Sequence, residues 1–114
     1  MKLPLVIHFV GLAPSPALEA TIHARIAHIE RLCPDVIAWR VTVTQEAQRQ
    51  QQGRPFAVRV DVTLPRQELV VTRIHDEDVQ VALRDALDAA RRKLEETVRR
   101  RSEAARAGAA GPAP

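Results

Sequence analysis

Two stretches of strict two-residue alternation constrain this chain more than any other feature in it. Ile37, Trp39, Val41 and Val43 alternate with Ala38, Arg40, Thr42 and Thr44, and Phe56, Val58, Val60, Val62 and Leu64 alternate with Ala57, Arg59, Asp61 and Thr63. Successive side chains on a strand point to opposite faces, so each stretch reads as a strand with one buried face and one wetter face. An aliphatic sheet face has to be covered by another layer. The Gln-rich stretch Ala47 to Arg54, closed by Gly53, is expected to be the mobile hairpin connection between the two.

The cover is written on either side of these strands. Ser15-Pro16 offers a capping hydroxyl followed by a proline at the first helical position, and Glu19 suits the positive end of the helix dipole. Leu18, Ile22, Ile26, Ile29 and Cys33 then recur at spacings of three and four, which predicts a helix from Pro16 to Leu32, stopped by Pro34. Near the other end, the acidic start Asp76-Glu77-Asp78 precedes Val79, Leu83, Ala86, Leu87, Ala90, Leu94 and Val98, the apolar stripe of a long helix reaching Arg101.

Leu5 to Val10, ended by Gly11, reads as a first strand, and Glu68 to Ile74, after a turn at Pro65-Arg66-Gln67, as a fourth. The predicted fold class is therefore α+β, in the order β-α-β-β-β-α, with two helices on one face of a four-stranded sheet. Residues 1–101 form one domain, and the Ala-, Gly- and Pro-rich residues 102–114 are expected to be a disordered tail. On the outer sheet face the alternation places Val6, Val10, Ala38, Ala57, Leu69 and Val71, an apolar set for a surface facing water and a candidate face for a homodimer.

Catalytic chemistry has no starting point here. His8, His23, His28 and His75 show no metal-ligand spacing, so neither a metal nor another cofactor is expected. Ser15 reads as a cap and Ser102 as tail, Cys33 is the lone cysteine, and the glycines are too scattered for a phosphate loop. An enzyme and a small-molecule substrate are both disfavoured on this ground. The apolar run Leu3 to Leu12 is too short to span a membrane, so no membrane partner is expected and a cytoplasmic location is the default.

Charge is more informative. Of 17 cationic side chains against 14 acidic ones, all but Lys2 and Lys93 are arginine, whose planar fork suits phosphate. At 100° per residue, Arg25, His28 and Arg31 share one flank of the first helix, opposite Glu19 and Glu30. On the last helix Arg84 and Arg91 border one side of the apolar stripe, Lys93 and Arg100 the other, and Arg92 and Arg99 point outward. The bland reading is a lattice of exposed helix pairs: Asp88 with Arg92, Glu95 with Arg99, Glu96 with Arg100. The functional reading is a groove between two helices that neutralises RNA phosphates with little regard to base sequence. Because Phe9, Trp39 and Phe56 all fall on inward strand positions, a sheet that stacks bases is disfavoured.

The segments Ala17-Leu18 through Ala24-Arg25-Ile26-Ala27-His28-Ile29-Glu30, and Asp78 through Ala82-Leu83, Asp88, Arg92 and Leu94, taken in this order of elements, resemble the ribosome hibernation promoting factor and ribosome-associated inhibitor family, also called sigma-factor modulation proteins. The resemblance spans residues 3–101 and is to the short form, without a C-terminal dimerisation domain. It implies a double-stranded-RNA-binding-like fold whose helices enter the mRNA and tRNA channel of the small ribosomal subunit and silence translation in stressed or stationary bacterial cells. Family lysines of the first helix correspond to Arg25 and His28; a family arginine and lysine of the last correspond to Arg92 and Arg100. Ala89, Glu96 and Val98 stand where relatives carry further cations, Gln80 replaces an aromatic, and Arg84 replaces an acid. Fewer cations imply a smaller phosphate contribution. The alternative is a protein-interaction or regulatory module of the same fold that has lost the ribosome.

Overall fold

In the computed structural model, residues 2–45, 55–75 and 78–109 are described, the side chains of the last two residues excepted. The elements are β1 (Val6–Val10), α1 (Pro16–Leu32), β2 (Ala38–Gln45), β3 (Phe56–Leu64), β4 (Gln67–His75) and α2 (Val79–Ala109). The order is the predicted β-α-β-β-β-α. The sheet runs β1-β2-β3-β4, parallel between β1 and β2 and antiparallel elsewhere. The expected mobile connection Ala47 to Arg54, the acidic Asp76 and Glu77, and tail residues 110–114 lie outside the described residues.

Local chemistry explains α1. The Ser15 hydroxyl accepts a hydrogen bond from the Leu18 amide at 3.2 Å, Pro16 occupies the first turn, and the Cys33 amide closes the last turn on the Ile29 carbonyl at 3.0 Å. Leu18, Ile22, Ile26 and Ile29 are all buried, each contributing about 1.5–3 kcal/mol by leaving water. At α2, Asp78 takes the capping role, its carboxylate accepting from the Gln80 amide at 2.8 Å.

The core lies between the helices and one sheet face. Val41, Val43, Val58 and Val60 are wholly excluded from water, with Trp39 beside them, against Leu83, Leu87 and Leu94 of α2. The Trp39 indole nitrogen has no hydrogen-bond partner among the described residues, a burial that costs about 1–3 kcal/mol against the large area the ring contributes. α2 lies over β3 and β4, and α1 lies beside it.

Two expectations are corrected. Leu69 and Val71 do not face outward; they are core residues, 5% and 7% exposed. The β3–β4 turn holds two residues rather than three, pairing Leu64 with Gln67 and so Val62 with Leu69 and Val60 with Val71. A one-residue change in turn length reverses every side chain of the strand. Pro65 followed by Arg66 at φ 65° is the pattern of a type II turn. The second correction concerns α2, which continues past Arg101 to Ala109. Ser102, Glu103, Ala104, Ala105 and Arg106 hold no helix breaker, and once a helix exists each added residue needs only one more hydrogen bond.

Gly11 ends β1 at φ 77°, and a Cβ there would overlap the Gln45 carbonyl oxygen at the end of β2. Gly11→Ala is expected to lower unfolding free energy by about 2 kcal/mol or more through that overlap and the left-handed backbone, read by denaturant titration. Burial pushes the Cys33 thiol above its ordinary range, with the Glu95 and Asp35 carboxylates adding to the effect. The folded thiol therefore stays protonated where the unfolded one ionises, near pH ~8.5, so this group's contribution to stability is intact below that pH and declines above it. Unfolding titrations of Cys33→Ala against the native chain from pH 7 to 10 should show the variant lacking that part of the decline.

Candidate nucleic-acid interface

α1 and α2 lie side by side on the sheet, and the furrow between their outer surfaces is a groove of about 540 Å³ lined by Thr21, Ala24, Arg25, His28, Ile29, Leu87, Asp88 and Arg91. The buried stripes fix this arrangement. With Ile22, Ile26 and Ile29 turned into the core, Arg25 and His28 are left on the flank toward α2. With Leu83, Leu87 and Leu94 inward, Asp88 and Arg91 are left on the flank toward α1. Three groups capable of positive charge thus meet one carboxylate across the furrow.

Of the nine basic positions singled out from the sequence, His28 lines the furrow and the other eight fall into distinct situations. Arg25 reaches across the furrow to Asp88 at 3.8 Å. Arg91 bonds Glu95 at 3.0 Å, and Arg100 bonds Glu96. Lys93 turns away from the furrow altogether and donates to the Val70 carbonyl of β4 at 3.2 Å. Arg31, Arg84, Arg92 and Arg99 are exposed and form no ion pair among the described residues. Arg92 and Lys93 line a second groove, between α2 and β4, with Arg73 and Glu96.

The pairing therefore differs from the expected one. Only Glu96 with Arg100 forms as the helical spacing predicts; Asp88 turns to the neighbouring helix and Glu95 turns back to Arg91, so Arg92 and Arg99 keep their charges free. The first-helix flank is not devoid of carboxylates either, because Asp88 approaches it from α2. A helix-internal spacing rule is blind to a partner on another helix. Ala89 is 6% exposed and belongs to the core, so its lack of charge removes nothing from the surface. Arg101, which by its place in the run Arg99-Arg100-Arg101 reads as a helix-end cation complementing the dipole, has a further role: its guanidinium donates to the Pro65 carbonyl at 2.7 Å and the Gln67 side chain at 3.1 Å, tying α2 to the β3–β4 turn.

Phe9, Trp39 and Phe56 all belong to or pack against the core, as their alternation predicted. Among the described residues the sheet's outer face carries no Phe, Tyr or Trp, and the ring it does expose is the His8 imidazole on β1. Among the described residues no cluster of His, Cys, Asp or Glu is placed to hold a metal ion, and no helix is long and apolar enough to cross a membrane.

The sequence pattern of the "Sigma 54 modulation protein / S30EA ribosomal protein" family matches residues 5–102. The chain belongs to this family. The match covers α1, all four strands, the whole furrow and α2 as far as Ser102, and it is the family that the order of motifs resembles. Among solved structures, a ribosomal subunit interface protein from Coxiella burnetii superposes with a TM-score of 0.68 at 14% identity, over 82% of this chain and 94% of that one. The N-terminal domain of Thermus thermophilus Protein Y gives a TM-score of 0.65 at 16% identity, over 85% of this chain and 99% of that one. At such identities the likeness is one of fold. No curated protein sequence matches the chain.

The side chains of Arg25 and Asp88 are 40% and 41% exposed, so water and salt screen their attraction. A double-mutant cycle with Arg25→Ala and Asp88→Ala is expected to give a coupling of about 0.5 kcal/mol at low salt and none resolvable at high salt. A coupling above about 2 kcal/mol would contradict the picture of an exposed, exchangeable pair.

Proposed function

We propose that this chain is a ribosome-associated translation inhibitor of the hibernation-factor kind, acting in the cytoplasm and binding small-subunit rRNA in the mRNA and tRNA channel through α1 and α2. The observation that carries the reading is the furrow between the helices, lined by Arg25, His28 and Arg91 with Asp88 the carboxylate on its wall and Glu95 beside it on Arg91. Family membership supplies the ribosome as the partner, and the two similar structures, a ribosomal subunit interface protein and a Protein Y domain, agree with it.

The chemistry is phosphate neutralisation. An RNA backbone crossing the helices meets guanidinium groups that fork onto phosphate oxygens, releasing condensed counterions as it settles. Arg31, Arg84, Arg92 and Arg99 meet phosphate without first giving up a partner. Arg25, Arg91 and Arg100 must exchange a carboxylate for a phosphate and so gain less. Lys93, held on the β4 backbone, contributes least. Because every such contact is to backbone rather than to base edges, binding depends on shape and salt more than on sequence.

A second reading, a protein-interaction module that has lost the ribosome, is favoured by the sheet's outer face. There Val10 and Ile74, 50% and 64% exposed, end a cross-strand row with Thr44 and Ala57, and Val6 and Val70 lie nearby on the two outer strands. On this reading the occupant is a second copy of the chain.

Sedimentation of cell lysate through a salt series separates the two readings. The first expects co-migration with small subunits or whole ribosomes at low salt and release as salt rises, and Arg92→Glu should weaken association more than Arg100→Glu by about tenfold, since only the first cation is unpaired. Migration as free protein at low salt, together with a nuclease-insensitive dimer, would reject the ribosome and favour the second.

A further inference from the structure

β4 is the last strand of the sheet, so one of its sides pairs with β3 and the other carries main-chain groups that no strand uses. Two of those groups are identified by what they bind. The Val70 carbonyl accepts from the Lys93 ammonium at 3.2 Å, and the Thr72 carbonyl from the Arg73 guanidinium at 2.8 Å. Both carbonyls therefore point away from β3. Since the N–H and C=O of one residue leave a strand on the same side and alternate residues share a side, Glu68 and Ile74 face the open edge as well. At the turn end, Arg101 of α2 occupies the Pro65 carbonyl.

Nine residues of extended chain with an unpaired edge form a template on which another strand can add, and a second copy of the same strand is a ready antiparallel partner. The exposed valine and isoleucine side chains of Val70 and Ile74 would gain burial in such a pairing. Against it stand the cations. A second β4 would need Lys93 and Arg73 to release their carbonyls, and a two-fold arrangement would press Arg73, Arg92 and Lys93 of one copy toward the same three of the other.

We propose that Lys93 and Arg73 keep the β4 edge closed to strand addition by a second copy of this chain. Lys93 does this from the helix layer, reaching across the groove between α2 and β4. Arg73 does it from the strand itself, folding back on the carbonyl of the preceding residue. The edge is guarded whatever the furrow between the helices binds.

The test compares two double variants of equal charge loss. Lys93→Met with Arg73→Met keeps the aliphatic stems but removes both carbonyl donors; Arg84→Met with Arg99→Met removes two exposed cations that touch no carbonyl and do not line this groove. Analytical ultracentrifugation should show the first self-associating at about tenfold lower concentration than the wild type, with the Val70 and Thr72 amides newly protected from hydrogen exchange. The second should remain as monomeric as the wild type. Thermal unfolding of each verifies the fold, and if the first double variant is unfolded, Lys93→Met alone carries the same two readouts. A first variant that stays monomeric, with Val70 and Thr72 exchanging as fast as in the wild type, overturns the proposal. So does equal association by both variants, because net charge alone would then be the barrier.

Discussion

The structure depends on the dry seam between one face of β2 and β3 and the two helices laid over it. Val41, Val43, Val58 and Val60 lose all contact with water there, and Ile22, Leu83, Leu87 and Leu94 close over them. Among the described residues none that is polar or charged is buried, the Trp39 indole nitrogen and one Glu30 carboxylate oxygen being polar side-chain atoms shut off from water, so the seam is held by area and fit, not by directional bonds. That makes the seam the element that orients everything else. A helix with its apolar stripe pinned to a sheet has no freedom to choose which flank it shows, and the furrow lined by Arg25, His28, Asp88 and Arg91 is what remains when the stripes are inside.

Given that geometry, the electrostatic character of the surface is decided by partners and not by counts. A net charge of +3 predicts little about an RNA-binding face. What matters is that Asp88, Glu95 and Glu96 are committed to Arg25, Arg91 and Arg100, leaving Arg92 and Arg99 exposed beside them. Exposed pairs of this kind are individually worth a fraction of a kcal/mol, about the scale at which an approaching phosphate displaces them. On the proposed reading these carboxylates compete with phosphate for the same cations and so weaken a polyanion's hold, which added salt would weaken further.

The fold was legible because its signals were redundant. Ser15, Pro16 and the stripe Leu18, Ile22, Ile26, Ile29 and Cys33 all mark the same helix, and α1 spans the residues they predict. The alternation of β2 and β3 continues across paired positions, so each strand confirms the other. β4 lacked that redundancy: Leu69, Val70 and Val71 are all apolar, and only the length of the turn at Pro65-Arg66 tells which of them face inward. The candidate site was legible at the level of flanks, since helical angle alone separates Arg25 and His28 from Glu19. It was illegible at the level of pairs, because the choice of Asp88 between Arg92 on its own helix and Arg25 on the next depends on how far apart two helices sit. No local pattern encodes that distance.

Arg92 and Lys93 show how far the surroundings of a cation are set by a single step along the chain. The two are adjacent cations in the same groove, yet one turn of 100° leaves the guanidinium in water and carries the ammonium onto the backbone of β4. A lysine on a flexible stem can reach a carbonyl across a sheet edge, whereas an outward arginine is left available for phosphate. A basic stripe on a helix that also borders a sheet edge is therefore two surfaces under one charge count. Cations on the border toward the strand answer to the sheet's need to end. Those pointing outward, or toward the neighbouring helix, are the ones a polyanion can engage, and the division between them is drawn by the orientation of the apolar stripe.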